Sequence, residues 1–118
     1  MKLRIHGESI RFRLNRKEVS DFLESGRISS SVHFPGGAQL TYALESAPAL
    51  ANAEAKLNGS TIVVSLPQGE ARRWAAGDDV AISASTAGLD VLIEKDFQCM
   101  HKGEDAKDPD AYPNPLAV

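Results

Sequence analysis

A strand–helix–strand pattern at residues 61–84 constrains the fold more than any other feature of this sequence. Residues 61–66 are mostly β-branched or apolar and predict a strand, Pro67 suits the first position of a short helix, Gly77 ends that helix, and residues 80–84 predict a second strand. Residues 9–34 have the same plan, with Ile10 at the position that Ile62 holds 52 positions later. The chain is therefore predicted to use one structural unit twice.

Each predicted helix has one apolar stripe that must pack on the strands, because helices this short are unstable alone. The stripes consist of Val19, Phe22 and Leu23 in the first helix (residues 16–25) and of Ala71, Trp74 and Ala75 in the second. Asn15 followed by Glu18 is the pattern of a capping box, and Gly26 and Gly77 are expected to be left-handed exit residues. Trp74 is predicted to be a core anchor.

Eight strands are predicted, and each is bounded by turn residues such as Gly7-Glu8, Pro35-Gly36-Gly37 and Asn58-Gly59. They cover about residues 2–6, 10–14, 27–34, 39–45, 50–57, 61–66, 80–84 and 89–97. The predicted fold class is mainly β with two short helices (α+β). Pseudo-duplicated ββαββ units, about residues 1–46 and 50–97, are expected to form a closed or nearly closed β-barrel, since closure would protect the strand edges.

Residues 98–118 are predicted to be a C-terminal arm beyond a single domain at residues 1–97. Three prolines and an excess of acidic residues oppose regular structure there. Tyr112 and Leu116 are apolar, so the arm is expected to use them to dock on the domain or on a dimer mate.

Composition predicts a cytoplasmic protein of one domain. A chain of 118 residues can bury a sizeable core, no apolar run reaches membrane length, and the charged N-terminal strand leaves no room for a signal sequence. The single cysteine, Cys99, fits a reducing compartment. No cofactor is expected, because no phosphate loop, dinucleotide fingerprint or nucleophile motif is present.

Charge is divided unevenly along the chain, whose net charge is −3. Residues 1–34 carry seven basic and four acidic side chains, whereas the remainder carries six basic and twelve acidic ones. This division predicts either a basic binding face or electrostatic pairing between the two halves.

Two resemblances bear on the fold. The strand, the proline-initiated helix and the Gly-Asp-Asp-Val sequence at residues 77–80 resemble the swapped-hairpin half-barrels of AbrB-like transcription factors and the related double-psi barrels. Residues 3–14, 40–45, 94–97 and the Tyr-Pro-Asn-Pro sequence at 112–115 resemble a small family of uncharacterised bacterial proteins. The second resemblance implies one intact domain and no particular chemistry.

The strongest candidate site is a basic β-ribbon. Alternation in the first two strands places five side chains on one face of the hairpin: Lys2, Arg4, His6, Arg11 and Arg13. Arginine forks suit phosphate or carboxylate groups. The alternative is internal, because Asp90, Glu94 and Asp96 share one face of the last strand and would form a charge ladder with the ribbon.

The function that follows is a non-enzymatic binding or interaction module that uses the basic ribbon to hold an anionic partner. A homodimer is expected for such a module. The alternative is a small barrel that binds or processes a phosphorylated or carboxylated small molecule through its arginines. Outward arginines favour the module, and inward ones favour the barrel. Nucleic acid is not expected as a partner, because the chain is acidic and its arginines have no interleaved aromatic residues. Cys99 and His101 are weak metal-ligand candidates, since zinc sites usually need four ligands.

Overall fold

The computed structural model describes residues 1–97, 110 and 112. Its strands are β1 Lys2–His6, β2 Ser9–Leu14, β3 Arg27–His33, β4 Gln39–Ala47, β5 Glu54–Asn58, β6 Thr61–Pro67, β7 Ala81–Thr86 and β8 Leu89–Lys95. Helix α1 spans Arg16–Ser25, helix α2 spans Gln68–Ala76, and a 3-10 turn spans Pro35–Gly37. The prediction of a mainly β chain with two short helices is confirmed. The strand β5 starts four residues later than predicted, after an alanine-rich stretch.

The strands form two four-stranded sheets. Sheet A has the order β1-β2-β8-β7, and sheet B has the order β3-β4-β6-β5. In each sheet the two central strands are parallel and the outer pairs are antiparallel. Each sheet therefore combines one hairpin from the first half of the chain with one hairpin from the second half.

The closed or nearly closed barrel is not confirmed, because neither sheet closes on itself within the described residues. Apolar side chains from both sheets meet in one cluster instead, with Phe12 of β2 lying 6.0 Å from Tyr42 of β4 between ring centroids. The core is thus completed by packing the two sheets and the helices together, which is the usual solution for sheets with one apolar face. The strand edges remain and must be protected in other ways.

The two helices meet at the centre of the core. Trp74 and Phe22 are 0% and 2% exposed, and their rings are 6.3 Å apart at an interplanar angle of 62°. Trp74 is therefore a core anchor, as predicted. Leu23 is 43% exposed, so its predicted place in the buried stripe is wrong. It lies at the margin of the stripe, where it lines a surface groove together with Val19 and Ala75.

Local signals at the helix ends are partly confirmed. Asn15 and Glu18 form the capping box, each side chain accepting a hydrogen bond of 2.9 Å from the other residue's backbone N–H. Gly26 is left-handed, with φ of 79°. Gly77 has φ of −106°, so its predicted left-handed role is wrong. Glycine is needed there because a Cβ atom would lie 2.6 Å from the carbonyl oxygen of Arg73.

Pro67 precedes α2 instead of occupying its first helical position. It is the last residue of β6 and the N-cap of the helix, with φ of −55°. Its fixed φ suits the change from extended to helical backbone. The predicted helix start was one residue early, which is an ordinary uncertainty at a helix end.

Candidate basic face on sheet A

The five predicted ribbon residues lie on one face of sheet A. In the β1–β2 hairpin Lys2 is directly opposite Arg13, Arg4 is opposite Arg11, and His6 is opposite Ser9. Alternate residues of β2, such as Phe12, are fully buried. Because successive side chains of a strand point to opposite faces, the basic side chains lie on the outer face of the sheet, away from the core.

Acidic residues of β8 lie beside part of this basic face. Glu94 pairs with Arg13 at 2.8 Å, and its Oε1 atom is also 3.7 Å from the Nε atom of Arg11. Asp96 pairs with Lys2 at 3.0 Å. The parallel pairing of β2 with β8 produces these contacts, since Arg13 is directly beside Glu94 in the register. The alternative of an internal charge ladder thus accounts for part of the basic face.

Arg4 is the arginine of this face that the ladder leaves without a carboxylate among the described residues. It forms no ion pair with any residue at positions 1–97, 110 or 112. Within the described part of the chain, its cross-strand neighbour Arg11 has one ionic contact, at 3.7 Å with Glu94, which also pairs with Arg13. Like charges directly opposite each other on a sheet destabilise it. The Arg4–Arg11 pair is therefore where an added anion would gain the most.

A groove of about 300 Å³ lies on this part of the sheet. Its lining consists of Lys2, Leu3, Arg4, Arg11 and Arg13. His6 shares the face but does not line the groove, because it lies at the far end of β1 next to the Gly7 turn, where Ser9 Oγ donates a hydrogen bond to the His6 carbonyl oxygen. The structure therefore brings four of the five predicted residues together and leaves His6 at the margin.

The start of β1 is held from both sides. The amino group of Met1 pairs with the carboxylate of Glu18, which also closes the capping box of α1. The hydroxyl of Tyr42 donates a hydrogen bond of 2.9 Å to the Met1 carbonyl oxygen. Burial lowers the pKa of the Met1 amino group, and the charge of Lys2 lowers it further. These contacts fix the position of Lys2 and Arg4 relative to the core.

The sequence alone did not identify two of these contributions. Glu18 was recognised only as a capping residue, because its ion pair joins parts of the chain whose proximity depends on the tertiary fold. Leu3 packs against the core cluster, as alternation in β1 indicates, and it also lines the groove, which alternation does not show. The contact of Glu94 with both Arg11 and Arg13 was indicated in the sequence by the acidic residues that alternate along the last strand.

A larger groove of about 440 Å³ lies where the two helices meet the end of β8. Leu14, Val19, Leu23 and Ala75 give it an apolar wall, and Phe97 lies at its edge.

Two cationic side chains, Arg16 and Lys95, also line this larger groove. The ammonium of Lys95 donates to the Gly77 carbonyl oxygen at 2.9 Å and lies 5.7 Å from the centroid of the Trp74 ring. Lys95 is therefore already engaged, and this groove offers an anion less than the basic face does.

The remaining predictions concern the metal-ligand candidates and the apolar anchors of the arm. Cys99, His101 and Leu116 lie outside the described residues, so the metal-ligand candidates and one arm anchor stay predictions. No group of three His, Cys, Asp or Glu side chains suitable for a metal ion is present at residues 1–97, 110 and 112. Tyr112 is 96% exposed, so it does not anchor the arm on its own domain.

The described helices include none that is long and apolar enough to cross a membrane.

Comparison with known proteins places the chain in a family. A family of unknown function (DUF7009) matches residues 1–116, and the chain belongs to it. No curated protein matches the chain significantly, and no solved structure does. The family match extends through most of the predicted arm, so the matched region includes the basic face, the core and most of the arm.

Proposed function

We propose that this protein is a non-enzymatic binding module that holds an acidic segment of a partner protein against the outer face of sheet A. The observation that carries the proposal is the position of Arg4, which lies opposite Arg11 without a carboxylate among the described residues. Two guanidinium groups on neighbouring strands present several N–H donors in planes that suit carboxylates. A bound carboxylate would also relieve the repulsion between them.

The exposure of the basic residues supports a partner protein over an enclosed ligand. The side chains of Arg11 and Arg13 are 38% and 41% exposed, and that of Lys2 is 74% exposed. Such a surface suits an extended acidic segment that contacts several cations in turn. A small phosphorylated or carboxylated molecule remains the alternative, because the groove has a volume at the lower limit of typical ligand sites.

The chemistry of the groove supports binding without catalysis. It is lined by three arginines, one lysine and one leucine. No carboxylate, imidazole or thiol lines it in the described part of the chain, and these are the groups that most often transfer protons or attack substrates. The net charge of −3 weighs against a nucleic-acid partner, since phosphate contacts dominate that affinity.

The test measures binding of a ten-residue glutamate peptide and of inorganic phosphate by isothermal titration calorimetry at low salt. The variant Arg4→Gln/Arg11→Gln should weaken peptide binding at least about tenfold, since hydrogen bonds to charged groups contribute about 1.5–3 kcal/mol each. The matched control is Arg16→Gln/Arg72→Gln, which removes the same charge from arginines elsewhere on the surface and should change binding little.

Three results bear on the proposal. Loss of peptide binding in the first variant alone supports it. Equal loss in both double variants would mean that only net charge matters and would overturn it. Tighter binding of phosphate than of the peptide would favour the small-molecule alternative.

Three further proposals accompany this function. We infer that the chain contains two copies of a ββαββ unit. In support, Ile10 of β2 pairs with Val91 of β8 in sheet A in the same way that Ile62 of β6 pairs with Tyr42 of β4 in sheet B. The strand β2 therefore corresponds to β6, and β4 corresponds to β8. The exchange of hairpins between the halves also supports the AbrB-like resemblance. The single cysteine supports a cytoplasmic location.

A further inference from the structure

The four edge strands of the described sheets differ in how they are protected. The edge strand β1 carries Lys2 and Arg4, and the edge strand β5 carries Glu54 and Lys56. Charged side chains of this kind discourage pairing with another chain. In contrast, β7 has no charged residue, and β3 has none between Arg27 and His33, where its centre is three consecutive serines.

We propose that β3 is the interface of a homodimer, in which it pairs antiparallel with β3 of a second copy about a twofold axis at Ser30. In that register Ile28 lies opposite Val32 of the second copy, and Ser29 lies opposite Ser31 of the second copy. Residues that are opposite each other share a face of the sheet, and these pairs do so, because Ile28 and Val32 belong to the inner face that also contains Leu44.

The sequence of β3 is therefore complementary to itself in this register. On the inner face Ile28 meets Val32 on both sides of the axis, where Ser30 meets Ser30 of the second copy, and on the outer face Ser29 meets Ser31. Opposed serines can hydrogen-bond across the strands. Arg27 lies opposite His33 of the second copy at each end, and its charge is already paired with Glu45 at 2.8 Å. This self-complementarity favours a second copy of the same chain over an unrelated chain as the partner of the β3 edge.

The other edges fit a twofold pair less well. A twofold axis at the centre of β1 places Arg4 opposite Arg4 of the second copy, and one at the centre of β5 does the same for Lys56, so both arrangements oppose like charges. The strand β7 is uncharged but one residue shorter than β3. The strand β3 and the residue that follows it have two exposed apolar side chains, Val32 at 44% and Phe34 at 51% exposed, which a second copy would cover, whereas β1 and β5 each have one, Ile5 and Leu57.

The test exploits the predicted opposition of positions 29 and 31. Ser29→Lys/Ser31→Lys places two like-charged pairs across the interface, whereas Ser29→Lys/Ser31→Glu places two opposite-charged pairs there. Both variants lose the 2.9 Å contact between Ser31 and Thr41, so their comparison isolates the charges. Ser83→Lys/Ser85→Lys is the matched control, since these positions are the outward-facing serines of β7.

Sedimentation equilibrium across a range of protein concentrations gives the dimer dissociation constant. We expect a dimer for the unmodified chain, a dissociation constant at least about tenfold larger for the lysine–lysine variant, and recovery in the lysine–glutamate variant. The β7 control should behave like the unmodified chain. Thermal unfolding of each variant establishes that all are folded.

The proposal is independent of anion binding by the basic face, so the two can fail separately. A monomeric unmodified chain at roughly 0.1 mM would overturn it, because a stable homodimer forms well below that concentration. Dissociation by the β7 substitutions with no effect of the β3 substitutions would also overturn it, and would assign the interface to β7.

Discussion

Replacing Trp74 by alanine should lower the free energy of unfolding by about 3–5 kcal/mol, which is the range for removing a large buried aromatic side chain. The indole is 0% exposed and packs edge-on against Phe22. Its Nε1 atom donates a hydrogen bond of 3.1 Å to the Val80 carbonyl oxygen, and Lys95 lies over its face. The substitution therefore leaves a cavity where α1, α2 and the loop before β7 meet.

The variant Trp74→Phe separates burial from hydrogen bonding. Phenylalanine keeps most of the apolar volume and a ring against Phe22, but it cannot donate to Val80. That carbonyl oxygen also accepts the backbone N–H of Lys95 at 3.1 Å, so it does not become an unsatisfied acceptor. We therefore expect a loss of only about 1–2 kcal/mol, close to the net value of one hydrogen bond plus a small cavity.

Urea denaturation followed by far-ultraviolet circular dichroism measures these differences without relying on tryptophan fluorescence. Arg72→Ala, an exposed change on the same helix, is the control and should alter stability by less than about 0.5 kcal/mol. A loss below about 1 kcal/mol for Trp74→Ala would refute the central position of the indole. Equal losses for the alanine and phenylalanine variants would show that the bond to Val80 dominates over burial.

Three further substitutions test the charge ladder, the chain start and the exit from α2. Glu94→Gln removes the carboxylate that contacts both Arg11 and Arg13 and should raise affinity for the glutamate peptide about fivefold in calorimetry, while lowering stability by no more than about 1 kcal/mol; unchanged affinity would contradict competition between Glu94 and the peptide. Glu18→Gln keeps a capping side chain but loses the ion pair with the amino group, so thermal unfolding should show a loss of about 0.5–1 kcal/mol. Gly77→Ala should cost about 1–3 kcal/mol in urea denaturation because its Cβ atom meets a backbone oxygen at 2.6 Å; a neutral result would show that the loop relaxes.

Local structure was predictable from the sequence because its causes are local. The bounds of α1 follow from the capping box at Asn15 and from the left-handed Gly26, which act within a few residues. Most strand positions follow from alternation between apolar and polar residues. The left-handed conformation predicted for Gly77 is wrong because glycine is needed there for a close backbone approach and not for a positive φ, and the sequence does not show that approach.

The sheet arrangement was not predictable in the same way. Alternation shows which side chains of β2 face the core, but it does not show that β2 pairs with β8 or that the parallel register puts Arg13 beside Glu94. A duplicated ββαββ order is compatible with one closed barrel and with two sheets that each combine hairpins from both halves. The choice depends on contacts between residues about 80 positions apart, such as Ile10 and Val91, for which no local signal exists.

The same long-range pairing explains why the site lies at the edge of sheet A. The parallel β2–β8 contact brings the acidic second half of the chain against its basic first half, and the charge division in the sequence is thereby partly neutralised inside one sheet. Glu94 and Asp96 are at the end of β8 that lies beside Arg13, whereas Asp90 is at the opposite end, beside Ser9. Arg4 lies on the outermost strand, β1, directly opposite Arg11. The residue of β8 beside Arg11 is Leu92, so β8 supplies no carboxylate at this position of the register. A partner that supplies a carboxylate at this point completes the ladder from outside, which is why we expect binding to depend on Arg4 and Arg11 more than on the cations that β8 already neutralises.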